Sequence, residues 1–214
     1  MLLSVIHIHQ KHILRFSAGV WNLNRKMATC SETKTPIVVR EVTTPLGVCT
    51  LKACDKGVHH LALTKIDENF DPNVSAGNVK EIPKKALEAE EGSTPMNKAV
   101  NWLVSYFENP SNLSGKIPPV CFPTDSSTEF ERKVWTALGE KVGFGKTVTY
   151  SQLAGTAIDN PKASRAVGTA MKKNPIPLMI PCHRVIRADG EIGNYSMGGS
   201  TIKKWLLEHE NTGA

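Results

Sequence analysis

From residue 37 to residue 65, apolar and polar positions alternate in short runs. Ile37-Val38-Val39-Arg40-Glu41-Val42 leads into Thr43-Thr44-Pro45-Leu46-Gly47, where proline and glycine mark a turn. Val48 to Cys54 and His60 to Lys65 follow, with Gly57 between them. Runs of this kind, punctuated by Gly and Pro, predict strands. Residues 66–94 are polar, with an acidic patch at Glu88, Glu90 and Glu91, and read as loop. Over 95–108 the period becomes helical, with Met96, Val100, Leu103 and Phe107 on one face. A proline-rich connector covers 110–124. Together these predict a small α/β domain over residues 30–122.

Residues 123–214 read as a mainly helical domain. Ser126 and Glu129 have capping-box spacing ahead of an apolar face at Phe130, Val134 and Leu138. A short helix follows Tyr150. After a tight turn, Asn160 can cap and Pro161 can open a second helix over 162–173. Two short helices joined in this way predict a helix-turn-helix. A last helix starts near Ser200, with Ile202, Trp205, Leu206 and His209 turned inward.

The chain has 214 residues and a net charge of +6. The excess is uneven. Residues 1–26 carry four basic residues and no acid, residues 27–127 carry 10 basic against 12 acidic, and residues 128–214 carry 12 basic against 8 acidic. The basic C-terminal part is where a nucleic-acid partner is expected. No apolar run approaches the roughly 20 residues of a membrane span, so no membrane partner is expected. Residues 1–29 read as a basic extension, either disordered or targeting. The acid-free, amphipathic stretch 1–26 is compatible with a mitochondrial transit peptide, and Met27 opens a second candidate start. Five cysteines, an odd number, argue for reduced thiols, metal ligands or a nucleophile rather than a disulfide framework.

The chemistry concentrates at 174–200. The apolar run Ile176-Pro177-Leu178-Met179-Ile180 reads as a buried strand, with Pro181-Cys182-His183-Arg184 at its mouth. A thiol beside an imidazole is placed for nucleophilic work, since the thiolate is the reactive form. The same dipeptide also suits a buried structural cysteine. Glu210 lies four residues after Leu206 and so shares the apolar face of the last helix. It is either a partner for His183, completing a Glu–His–Cys relay, or a solvated carboxylate at a helix end.

Ile180-Pro181-Cys182-His183-Arg184-Val185-Ile186 closely resembles the active-site signature of the O6-alkylguanine-DNA alkyltransferases, the methylated-DNA–protein-cysteine methyltransferases. Val148 to Ala154, Arg165 to Gly168, Met171, Asn174-Pro175, Gly193 to Ser196 and Trp205 to Leu207 match in the family's order. The resemblance is strong over 128–210 and weaker over 37–65. It implies an RNase H-like α/β domain followed by a helical domain, and stoichiometric, irreversible repair of O6-alkylguanine, and of O4-alkylthymine, in double-stranded DNA. No cofactor would serve transfer. The protein would act as a monomer in the nucleus.

The resemblance also assigns roles. Cys182 would accept the alkyl group, with His183 and Glu210 activating it and Asn174 supporting the loop. Tyr150 would sit near the flipped guanine and donate a proton to it. Arg165 would fill the gap left by the extruded nucleotide. Ala163, Ser164, Ala166, Gly168, Lys172 and Ser196 would meet DNA. Met171, Val185, Tyr195 and Ser196 would line the base pocket. Met197 is an extra residue in that loop, and Thr169 and Lys172 stand where Gly and Arg are common. Some members hold a structural zinc. Cys54 and His59 match two of its ligands, with Cys30 and Cys121 completing the set, Cys121 in the place of a histidine. The alternative is four thiol and imidazole groups with no metal. A lesion sensor lacking an acceptor is disfavoured because Cys182 is present. A cysteine hydrolase would need an oxyanion hole that nothing in the sequence predicts.

Overall fold

The computed structural model describes residues 27–31, 34–72, 94–108, 113 and 117–212. The basic extension expected over residues 1–26 and most of the loop expected over 66–94 lie outside them. Strand β1, Ala28–Cys30, begins inside the stretch read as an extension. It pairs in parallel with β5, Cys121–Pro123, a strand inside the predicted connector.

The central strands follow the alternation closely. They are β2, Val38–Thr44, β3, Gly47–Ala53, and β4, Val58–Ile66, in an antiparallel sheet ordered β2-β3-β4. A parallel bridge between Val58 and Val120 brings the β1–β5 pair alongside β4. Gly57 is required there. A Cβ at this position would lie 2.7–2.8 Å from backbone atoms of Pro119, Val120 and Cys121, closer than any side chain allows. Helix α1, Pro95–Glu108, packs Met96, Val100, Leu103 and Phe107 onto the sheet, as the helical period predicts. Tyr106 is also buried, outside that predicted face.

In the C-terminal part, α2 spans Glu129–Lys141. Its capping box is Thr128 with Glu131, not Ser126 with Glu129: Thr128 accepts from the Glu131 N–H and the Glu131 carboxylate accepts from the Thr128 N–H. Three hydroxyl residues in a row before Glu129 made the choice ambiguous in sequence, and the glutamate that can also pair with Lys173 won. Helix α3, Tyr150–Ile158, is capped by a box of Thr149 and Gln152 and ends at Asp159 in the left-handed conformation, φ 55°. Asn160 caps a single 3-10 turn, Pro161–Ala163, which runs into α4, Ser164–Lys172. Helix α5, Gly199–Thr212, buries Ile202, Trp205, Leu206 and His209 as expected.

The segment 176–180 is not a strand. It forms a tight turn closed by a bridge from Pro177 to Ile180, with Leu178 at φ 72°. A left-handed branched residue is costly and is held here by full burial of Ile176, Leu178, Met179 and Ile180. The two ladder strands that do form are β6, Val148–Thr149, and β7, Val185–Ile186, paired in parallel.

Buried apolar residues from both parts form one continuous cluster, from Val42 through Trp135 to Leu206. A backbone bond from the Leu61 N–H to the Pro175 carbonyl, 2.9 Å, stitches β4 to the loop that carries Cys182.

Candidate active site

The β6–β7 pair sets the frame. Tyr150 follows β6 directly, and the 3-10 turn Cys182–Arg184 runs directly into β7. Pairing of Val148 with Val185 therefore brings the start of α3 to the cysteine turn. Asn174, after α4, fixes that turn from below. Its side-chain N–H donates to the Ile180 carbonyl at 2.8 Å and to Cys182 Sγ at 3.1 Å, and its Oδ1 accepts from the Ile176 N–H at 3.0 Å.

Cys182 is 4% exposed. Burial pushes its thiol up to about 11, against the Asn174 hydrogen bond and the Lys203 charge, which favour the thiolate. The resting group is thus a protected thiol. Lys203, 1% exposed on α5, donates to the Val185 carbonyl at 2.7 Å, and burial lowers it to about 8.

His183 is fully buried and its Nε2 lies 2.6 Å from Glu210 Oε1. With the carboxylate accepting there, Nε2 carries the proton and Nδ1 is the basic nitrogen. Nδ1 has no hydrogen-bond partner among the described residues, so it is the nitrogen free to take a proton. Burial lowers the imidazole below its ordinary value and outweighs the pull of Glu210, so it rests neutral. Glu210 is 1% exposed. Burial would raise its carboxyl, but His183 and Arg184 outweigh this and hold it well below the usual carboxylate range. Arg184 clamps both oxygens, Nε to Oε2 at 2.8 Å and Nη2 to Oε1 at 2.9 Å, and also donates to the Val142 carbonyl. The Tyr106 hydroxyl donates to Oε1 at 2.9 Å, and the Gly145 N–H to Oε2 at 3.3 Å.

The structure therefore brings Cys182, His183, Glu210 and Asn174 together, and Glu210 is the buried relay member rather than a solvated helix end. Tyr150 is half-buried beside Gly168 of α4. Burial raises its phenol above the ordinary value. Met171, Val185 and Tyr195 are buried in the same core cluster as Cys182, with the Tyr195 ring edge-on to His183 at 6.1 Å. Met197 is also buried, and Gly198 after it, at φ 96°, leaves no room for a Cβ against Ile202.

Outside, Arg165, Ala166 and Lys172 are exposed along α4, Ala163, Ser164 and Gly168 are half-exposed, and Ser196 is exposed on the pocket loop. Arg165 stands in the first turn of α4. The residues sequence reading missed are Arg184, Tyr106 and Lys203. Arg184 and Lys203 are charged residues whose type signals surface, and Tyr106 sits off the predicted apolar face. Among these, only the run of His183 with Arg184 beside a buried carboxylate carried a hint.

The DNA-binding domain of 6-O-methylguanine DNA methyltransferase, as a family, matches residues 129–212. Methylated-DNA–protein-cysteine methyltransferase of Rattus norvegicus is 42% identical over 167 residues, 78% of each chain. The protein of the same name from Methanosarcina acetivorans is 35% identical over 78% of this chain and 94% of its own. The chain belongs to the methylated-DNA–protein-cysteine methyltransferase family. The crystal structure of Mycobacterium tuberculosis O6-methylguanine methyltransferase superposes with a TM-score of 0.61 at 28% identity, covering 84% of this chain and 95% of that one. That of Mycobacterium tuberculosis OGT in complex with DNA gives 0.60 at 29% identity, covering 82% and 94%. The alkyltransferase family thus accounts for both the N-terminal α/β part and the helical C-terminal part.

The second cluster lies at the β1–β5 end of the sheet. Cys30, Cys54, His59 and Cys121 are all buried, and their donor atoms lie within 4.8 Å of one another. Cys30 Sγ is 3.3 Å from His59 Nε2. Tetrahedral zinc at about 2.3 Å from sulfur and about 2.0 Å from nitrogen sets its donors roughly 3.5–3.8 Å apart. The four groups fit such an ion in number, kind and spacing.

Proposed function

We propose that this methyltransferase repairs DNA by moving the alkyl group of O6-alkylguanine, or of O4-alkylthymine, onto Cys182. The observation that carries the reading is a protected thiol held by Asn174 next to an imidazole whose far nitrogen is fixed by a buried carboxylate. In the reaction the thiol proton passes to His183 Nδ1, directly or through a water. Sulfur then attacks the alkyl carbon in line, the carbon–O6 bond breaks, and the electron pair stays on the base. Tyr150 supplies a proton to the leaving guanine. The thioether has no route back to a thiol, so each molecule acts once. Mixing with a duplex carrying O6-methylguanine tests this. Repair should stop at about one lesion per protein molecule, and continued turnover would contradict it.

The helices α3 and α4 are read as a helix-turn-helix, with α4 lying in the minor groove. The small residues Ala163, Ala166 and Gly168 support close approach, and Arg165 at its start is sized to fill the gap left by a flipped nucleotide. Ser164, Lys172 and Ser196 add backbone contacts. Met171, Val185, Tyr195 and Ser196 frame the pocket for the base. The N-terminal part is read as RNase H-like, with the domain division near residue 122. The protein acts as a monomer, in the nucleus.

Zinc is read as a structural ion held by Cys30, Cys54, His59 and Cys121. It would pin β1 and the β3–β4 turn to β5, away from Cys182. Replacing Cys121 by serine is expected to lower zinc from about one per chain toward zero and to lower Tm, with alkyl transfer still detectable. Metal analysis of protein prepared without chelator checks this. Zinc-free protein of full stability would overturn it.

A further inference from the structure

We propose that Tyr106, on α1 in the N-terminal part, is a positioning residue of the transfer reaction: its hydroxyl sets the basicity of Glu210 and, through Glu210, that of His183. This rests on the alkyl-transfer reading for its kinetic consequence, though not for its structural one.

Three donors share one oxygen of Glu210. His183 Nε2 lies at 2.6 Å, Arg184 Nη2 at 2.9 Å and Tyr106 Oη at 2.9 Å from Oε1. Arg184 Nε and the Gly145 N–H take Oε2. A carboxylate offers about four lone-pair sites, so this one is saturated. In a buried site each donor draws charge from the acceptor and weakens its pull on the others. Tyr106 therefore competes directly with the imidazole for Oε1. Without the hydroxyl, Glu210 would draw more strongly on the Nε2 proton, and the imidazole would become a stronger base.

The hydroxyl is held in place. Tyr106 is fully buried. Its ring stacks on Trp102 at 5.2 Å and meets Phe107 at 5.1 Å and Phe144 at 6.1 Å edge-on. Its carbonyl accepts from His209 Nε2 at 2.7 Å. A phenylalanine would fill the same aromatic cage, and a buried hydroxyl costs stability unless it is bonded. The bond to Glu210 is thus what a tyrosine adds at this position. It also crosses 104 residues of sequence, from the N-terminal part to the relay. The charged and titratable groups facing His183 are Glu210, Arg184, Lys203 and Tyr195. Those facing Glu210 are His183, Arg184, Tyr106, Tyr195 and His209. Of these, Tyr106 alone contacts Glu210 from the N-terminal part and carries no charge, so its removal leaves the charge balance of the relay unchanged.

The test compares the intact protein with Tyr106→Phe. Free O6-benzylguanine is the substrate, which reports on the thiol chemistry without DNA. The acid limb of the rate–pH profile should move up by about half a pH unit, because a hydrogen bond to a charged group is lost and only part of its effect reaches the imidazole. The His183 Nε2 proton resonance should move downfield. In the Glu210→Gln background, Tyr106→Phe should add nothing to either readout, since its effect runs through that carboxylate. 3-Fluorotyrosine placed at position 106, a stronger donor of nearly the same shape, should move both readouts the other way and keeps the test informative if Tyr106→Phe fails to fold. A profile and a resonance that coincide with those of the wild type, or losses that simply add to those of Glu210→Gln, would overturn the proposal. A wild-type protein that takes up no benzyl group would instead count against the alkyl-transfer reading, while the resonance would still report on Tyr106.

Discussion

Replacing Glu210 by alanine is expected to cost the protein about 3–5 kcal/mol of stability, because it strands Arg184 and His183 in the core without their acceptor. For a chain of this length that lowers Tm by roughly 10 °C. Among the described residues the Arg184 guanidinium would keep the Val142 carbonyl and the face of Phe144, 5.6 Å away. Alkyl transfer should fall by roughly a hundredfold or more, as the imidazole loses the group that fixes its tautomer. The acid side adds a sign. The Glu210 carboxyl is lower in the folded protein than its ordinary 4.5. Its contribution is therefore complete above about that pH and is lost as pH falls toward the depressed native value. The alanine variant should lack this share of acid sensitivity. Thermal unfolding across pH measures both effects. A variant within about 0.5 kcal/mol of the wild type, the range of an ordinary surface change, would mean that Glu210 is not the hub of the site.

Arg165→Ala should separate DNA handling from chemistry. Arg165 is exposed in the first turn of α4, so transfer from free O6-benzylguanine should be nearly unchanged. Turning a nucleotide out of a duplex costs a few kcal/mol. With Arg165 proposed to fill that gap, its loss should slow repair of duplex O6-methylguanine by roughly a hundredfold, the equivalent of about 3 kcal/mol. Single-turnover rates on the two substrates give the comparison. Equal loss on both would show that Arg165 supports the fold instead.

Much of the fold was legible because local rules and tertiary packing agree. The alternation over 37–65 and the helical period over 95–108 fall on the observed strands and on α1 to within a residue or two. Where two local choices were equally good, sequence could not decide. Ser126 and Thr128 both precede a glutamate by three residues, and only the contact from Glu131 to Lys173 separates them. The run 176–180 is apolar because it is buried, and burial does not distinguish a strand from a tight turn. The site divides in the same way. Cys182, His183 and Asn174 lie close in sequence and carry the family pattern. Arg184, Lys203 and Tyr106 are recognisable only once α1 and α5 are packed together, because charged and phenolic side chains become buried through partners distant in the chain.

The most direct measurement of the central claim is mass spectrometry after mixing with a duplex that contains O6-methylguanine. The intact chain should gain one methylene equivalent, about 14 Da, and digestion should place it on the peptide carrying Cys182. Cys49 is an internal control. It is fully buried, and burial pushes its thiol up to about 11. A methyl group found on Cys182 alone, and absent from Cys182→Ser, is the expected result. Methyl found on Cys49 or Cys121, or an unchanged mass with the lesion repaired, would contradict the account.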